Sequence, residues 1–119
     1  LETLADFLDF DFDPLSLKAK KEKSAYVRGF FDAEGGIPSK DSNRFYIQLV
    51  QKDKVKVQKL KKILSELGIT TGKIHNPSVS ADPNYWRVFV STESHLMFAK
   101  KIWSWHPKKQ NIFQRRMKI

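Results

Sequence analysis

One carboxylate in this chain stands where ordinary helix chemistry would not put it. In the stretch Ser24-Ala25-Tyr26-Val27-Arg28-Gly29-Phe30-Phe31-Asp32-Ala33-Glu34-Gly35-Gly36, helical spacing places Tyr26, Gly29, Phe30 and Ala33 on one stripe. Gly35-Gly36 is expected to end the helix in the left-handed conformation open to glycine. Glu34 then falls in the last turn, where unpaired carbonyls and the macrodipole already make the field negative. A carboxylate there is unfavourable unless something positive binds it, and a hard divalent cation held by oxygen ligands meets that need. The plainer alternative is a solvated glutamate. Gly29 costs roughly 1 kcal/mol relative to alanine inside a helix, which predicts that another backbone comes close at that level.

A second group of residues has the chemistry to read a polar ligand. Phe45, Ile47 and Leu49 alternate with Arg44, Tyr46 and Gln48, the period of a strand with one buried face. Residues 37–40 read as its hairpin partner, joined through the turn formers Asp41-Ser42-Asn43. With the apolar set inward, Ser42, Arg44, Tyr46 and Gln48 point outward together and can donate to or accept from base edges, as a sheet in the major groove does. Residues 71–75 and 85–91 read as a second hairpin across the turn-rich loop 76–84, with Lys73, His75 and Arg87 as candidates for its outward face. Polar residues on a solvated face are the ordinary alternative for each of these.

Helices must carry the rest. Asp53 is placed to cap a helix in which Val57, Leu60, Leu64 and Leu67 form an apolar stripe and Gly68 the stop. Lys54, Lys56, Lys59, Lys61 and Lys62 lie mostly off that stripe, as a solvated face would. Thr92-Glu93-Ser94 looks like a helix start, followed by Leu96, Phe98, Ala99, Ile102 and Trp103 up to Pro107, and a last helix is expected over 110–117. The expected order is helix, two strands, helix, two strands, helix, helix. No internal repeat is visible.

The chain has 119 residues, enough for one domain around a single core. Its formal charge of +9 points to a polyanionic partner, nucleic acid or an anionic membrane surface. With no apolar run long enough to span a bilayer and no signal-peptide pattern, nucleic acid is favoured over a membrane. There is no cysteine, which excludes disulfides and cysteine-ligated zinc and fits an intracellular setting. His75, His95 and His106 have no metal-ligand spacing, and there is no phosphate-binding glycine loop. Glu2, Asp6, Asp9, Asp11 and Asp13 make the first thirteen residues acidic, with no base among them, so the remainder is more basic than the whole. Residues 1–22 are read as a leader, ordered poorly if at all, and 23–119 as the working domain. The chain begins at Leu1 without methionine, as a processed product or a piece of a longer one does.

Val27-Arg28-Gly29-Phe30-Phe31-Asp32-Ala33-Glu34-Gly35 resembles the nine-residue signature of the LAGLIDADG homing endonucleases. Gly29, Asp32, Ala33 and Gly35 are identical to the motif's letters. Glu34 keeps the second carboxylate as glutamate, and Arg28 departs from the small residue usual at the second position. The element order extends the resemblance over residues 24–117 and implies an α+β unit of α-β-β-α-β-β-α(α) order with a four-stranded antiparallel, saddle-shaped sheet.

Since the signature occurs once, the family rule implies a homodimer whose signature helices pack through Tyr26, Gly29, Phe30 and Ala33 and bring two copies of Glu34 together. The implied activity is sequence-specific cleavage of both strands of a long double-stranded DNA site, with no small-molecule substrate. Glu34, with Ala33 beside it, would hold Mg2+, or Mn2+ or Ca2+ in its place. Gln51 matches the polar residue the family carries at the end of the second strand, where it would order water, an amide being no base at neutral pH. Lys108 is taken as the basic residue near the cleaved phosphate, ahead of Lys109. The DNA-contacting set becomes Lys40, Ser42, Arg44, Tyr46, Gln48, Lys73, His75, Arg87 and Lys109. Two other readings remain: a non-cleaving intron maturase or regulator on the same scaffold, and one half of a two-signature endonuclease or intein.

Overall fold

A computed structural model describes residues 12–38 and 44–118. Its elements are helix α1 (Lys20–Glu34), strands β1 (Gly35–Gly36) and β2 (Gln48–Gln51), helix α2 (Lys54–Glu66), strand β3 (Trp86–Phe89), and helices α3 (His95–Lys101) and α4 (Pro107–Met117). The sheet is antiparallel in the order β1-β2-β3, with Gly35 opposite Leu49 and Leu49 opposite Val88. The segment 71–75 runs along the free edge of β3 and joins it at two isolated bridges, Thr71 with Val90 and His75 with Arg87. The fourth strand expected there is thus reduced to paired contacts on either side of the unpaired Lys73 and Ile74.

The first hairpin starts earlier than its sequence pattern predicts. Strand pairing begins at Gly35, directly at the end of α1, while Pro38 has no N–H to give a ladder. Lys40 and the turn 41–43 lie outside the described residues. Gly35 is extended, with φ −97° and ψ 172°, and not left-handed. Its glycine identity has another cause: a Cβ there would come within 2.4 Å of the Phe31 ring and 2.7 Å of the Phe31 carbonyl oxygen. The left-handed stop occurs instead after α2, where Gly68 has φ 82° and Ile69 N–H returns to the Leu64 carbonyl at 2.9 Å. Asp53 caps α2 as expected, its carboxylate accepting from Val55 N–H at 3.0 Å.

All the helices lie on one face of the sheet. Ile47, Leu49, Val88 and Val90 from the sheet meet Val27, Phe30 and Phe31 of α1, Leu60, Ile63 and Leu64 of α2, and Phe98 and Phe113 of α3 and α4 in one core. Of the expected leader, residues 1–11 lie outside the described residues. Residues 12–19 pack down: Leu15 and Leu17 sit against the core, Asp13 pairs with Lys59 at 3.3 Å, and Phe12 stands 6.1 Å from Tyr26.

Tyr26 carries a pH prediction. Burial pushes its hydroxyl up to about 12, with the Asp13 charge adding to the shift. The folded chain therefore holds that proton more firmly than the unfolded one, so the contribution is complete below the unfolded value near 10 and is lost as pH rises through it towards 12. Thermal melts of the wild type and Tyr26→Phe should run parallel up to about pH 9.5 and diverge above it, with the wild type losing more. Parallel curves to pH 11.5 would refute this.

Candidate active site and nucleic-acid interface

Because β2 and β3 alternate, the sheet separates its side chains cleanly. Ile47, Leu49 and Val88 are fully buried beneath it. Tyr46, Gln48, Arg87, Phe89 and His75 share the opposite face. There Phe89 is the hub: the Tyr46 ring stands edge-on to it at 5.8 Å, the His75 ring stacks at 5.8 Å, and the Arg87 guanidinium lies over it at 4.9 Å. Arg87 also donates to Gln48 Oε1 at 3.2 Å, and its Nε is buried without a partner. Four of the residues expected to read DNA are thereby gathered into one array of donors, acceptors and ring faces. Lys73 and Arg44 are exposed and lie at its margins, while Ser42 is outside the described residues. Phe89 was missed, though its period-two spacing from Arg87 carries the signal.

Glu34 closes α1 and is exposed, as is Ala33. No basic residue occupies the last turn of the helix itself, and one arrives from elsewhere. Lys109, in the first turn of α4, sends its Nζ to the Phe31 carbonyl at 2.8 Å and the Gly35 carbonyl at 3.4 Å, and lies 4.3 Å above the Phe31 ring. Burial pushes its pKa below the ordinary lysine range, and the nearby Asp32 carboxylate partly offsets this. The end of the signature helix is thus neutralised by a lysine distant in sequence.

The two lysines point to different places. Pro107 opens α4 as its first residue, the position where a missing N–H costs nothing, so the helix starts three residues before 110. That turn directs Lys109 onto α1 and leaves Lys108 exposed, and both line, with Gly35, Gly36, Ile37 and Pro38, a cleft of about 870 Å3. Lys109 does not join the outward sheet face. Gln51, two residues past the partner of Gly35, is 6% exposed on the helix-facing side of β2, with its Oε1 accepting from Lys52 N–H at 2.8 Å.

Tyr26 and Phe30 require a correction. They are 5% and 0% exposed and belong to the chain's own core, so neither side chain can form an interface with a second molecule. The expected stripe splits: Tyr26 and Phe30 turn inward, whereas Gly29 is half-buried and Ala25 and Ala33 are exposed. The open edge of α1 is made of small residues four apart. His95 packs against Phe45 at 5.1 Å, with a ring nitrogen 3.2 Å from the Val90 carbonyl.

A family model described as a LAGLIDADG-like domain matches residues 21–103, from the start of α1 to the end of the α3 region. The chain belongs to the LAGLIDADG family. Solved structures with its fold include the homing endonuclease I-DmoI in complex with DNA and Mn, 22% identical with a TM-score of 0.61 over 77% of this chain and 48% of that one. Another is a set of mesophilic variants of I-DmoI, 20% identical with a TM-score of 0.60 over 74% and 45%. A third is a glycine-to-serine variant of I-DmoI with its target DNA and Mg, at 20%, 0.59, 74% and 45%. The chain spans less than half the length of these structures. No curated protein matches it.

Within the LAGLIDADG frame, Glu34 is the acidic residue at the helix end and the Tyr46-Gln48-Arg87 array lies on the sheet's uncovered face. Among the described residues no group of three or more His, Cys, Asp or Glu can hold a metal ion. One unit presents a single exposed carboxylate and, from Ala33, only a carbonyl oxygen. Both are hard oxygen donors of the kind magnesium accepts while keeping most of its water, so the donor chemistry fits a divalent cation, and a second unit would be needed to surround it.

Proposed function

We propose that this LAGLIDADG chain is a sequence-specific DNA endonuclease that hydrolyses one phosphodiester on each strand of a long site, acting as a homodimer with divalent metal. The observation that carries the reading is the exposed Glu34 at the end of α1, beside a sheet whose uncovered face is built of Arg87, Gln48, His75 and Tyr46. Glu34 and the Ala33 carbonyl would hold magnesium, jointly with the same groups of a second copy brought in along the open Ala25-Gly29-Ala33 edge. What the cation supplies when bound is polarisation of the phosphate, stabilisation of the leaving oxygen and a lowered pKa for the attacking water. Arg87, Gln48, His75 and Tyr46 meet base edges and sugars, and the exposed Lys73 and Lys108 meet phosphates. Gln51 lies on the buried side of β2, and its part in ordering water depends on its amide turning towards the helix end.

The half-length match to I-DmoI favours a second reading, one half of a two-unit endonuclease. Light scattering separates the two: a concentration-dependent dimer supports the first, and a monomer at all concentrations supports the second.

Selection of bound DNA from a random pool, followed by incubation of the winner with Mg2+, tests the proposal. A long, near-palindromic site cut on both strands is expected. Raising salt from 50 to 200 mM should weaken binding by roughly 1,000-fold or more if six or more phosphates are contacted. A flat salt response would remove nucleic acid as the partner.

A further inference from the structure

Two side chains one turn apart on α1 grip the same distant segment. Arg28 Nε donates to the Ile102 carbonyl at 2.6 Å, and its guanidinium lies 5.0 Å over the Trp105 ring. Asp32 accepts from the Ser104 hydroxyl and from Trp105 N–H at 3.0 Å. The segment so held is neither helix nor strand. Trp103 has φ 61°, a region that is costly for a bulky residue and persists only where its surroundings impose it. Ser104 is fully buried and serves three partners, since its oxygen also accepts from His106 N–H at 3.0 Å and its carbonyl accepts from Gln110 at 2.8 Å. His106 is the cap residue of α4. The grip on 102–105 therefore sets where α4 begins, and the first turn of α4 delivers Lys109 to the carbonyls of Phe31 and Gly35.

We infer that Arg28 and Asp32 are positioning residues: by pinning residues 102–105 to the signature helix they seat Lys109 across the C-terminal end of that helix, at the carbonyls of Phe31 and Gly35 that flank Glu34 in the chain. The inference rests on the nuclease reading for its catalytic consequence, and on geometry alone for the seat. A seated ammonium meets an incoming phosphate at a fixed place, whereas a lysine on a loose first turn would have to be ordered at each encounter. In a site where a misplacement of 1 Å costs on the order of 100-fold, that difference falls on the chemical step and not on DNA affinity. Arg28, the departure from the family's small residue, adds a hold that a small side chain could not make.

The seat is measured first without any activity, by acetylating the intact protein and following each lysine by mass spectrometry. In the wild type Lys109 should label at least about fivefold more slowly than Lys108, because modification requires local opening. Arg28→Met, Asp32→Asn and Ser104→Ala should each bring Lys109 towards the Lys108 rate and leave Lys61, bound to the Gly72 carbonyl, unchanged. Ser104→Ala removes a single hydroxyl and serves if Asp32→Asn does not fold. Unchanged Lys109 labelling in the folded variants would overturn the inference.

Single-turnover cleavage in Mg2+ and DNA binding in Ca2+ supply the second arm. Asp32→Asn and Lys109→Met should each slow cleavage on the order of 10- to 100-fold, with affinity held within about threefold. The double variant should be no slower than Lys109→Met alone, because the two changes act through one group. Multiplying effects would overturn the proposed route. Should the wild type cut no DNA, the nuclease reading fails and the labelling arm alone decides the seat.

Discussion

Glu34→Gln should abolish double-strand cleavage, slowing it by roughly 1,000-fold or more, the scale of losing preorganised charge stabilisation at a reacting oxygen. DNA binding should survive. The substitution is nearly isosteric and the side chain is exposed, so folding has little reason to suffer. It removes the negative charge that an oxygen-seeking cation requires, and in a homodimer it removes that charge twice. The control is binding in Ca2+, where wild type and variant should agree within a few fold, or the variant should bind slightly better for having shed a charge that repels phosphate. Equal cleavage by both proteins would remove Glu34 as the carboxylate that holds the metal. Binding without cleavage in both would end the nuclease proposal and leave a DNA-binding domain on the LAGLIDADG scaffold.

The second large effect is on stability. Phe31 is fully buried, with the Phe98 ring edge-on at 5.1 Å, the Phe113 ring stacked at 5.9 Å and the Lys109 ammonium over its face. It ties α1 to both C-terminal helices. Phe31→Ala should cost about 3–5 kcal/mol, the range for opening a cavity of that size, against the 5–15 kcal/mol typical of a whole domain. Urea denaturation at fixed protein concentration should show a large fall in midpoint with little change in slope. Phe31→Leu should lose much less. A cost below about 1 kcal/mol for Phe31→Ala would mean that neighbouring rings collapse into the space.

Phe31 also explains why Gly35 is glycine, and there the sequence was misleading for a physical reason. A glycine pair after a helix ordinarily marks a left-handed turn, but at Gly35 the chain goes straight into the sheet, and the absent Cβ makes room for the Phe31 ring and carbonyl. Nothing in Gly35-Gly36 distinguishes handedness from clearance. Local rules served well where the cause was local: the Asp53 cap, the Gly68 stop, the alternation that buries Ile47 and Leu49 and turns Tyr46 and Gln48 to the opposite face.

Periodicity alone could not divide the face of α1. A stripe through Tyr26, Gly29, Phe30 and Ala33 spans roughly a quarter to a third of the helix circumference, and only packing against β2 and α2 reveals that its large members turn inward while Gly29 and Ala33 lie nearer the open edge. Where Lys108 and Lys109 point likewise depends on where α4 begins, since moving a helix start by three residues reassigns every direction along its first turn.

By itself the sequence determined the family signature, the acidic helix end, the basic excess of charge and the element order, because these are properties of residue type and spacing along the chain. Tertiary structure alone decided which lysine neutralises that helix end, which small residues face outward, and that Arg28 and Asp32 grip a segment more than seventy residues away. Such contacts depend on how separate elements dock, and hydrophobic burial, which drives docking, has no direction written into any one stretch of chain.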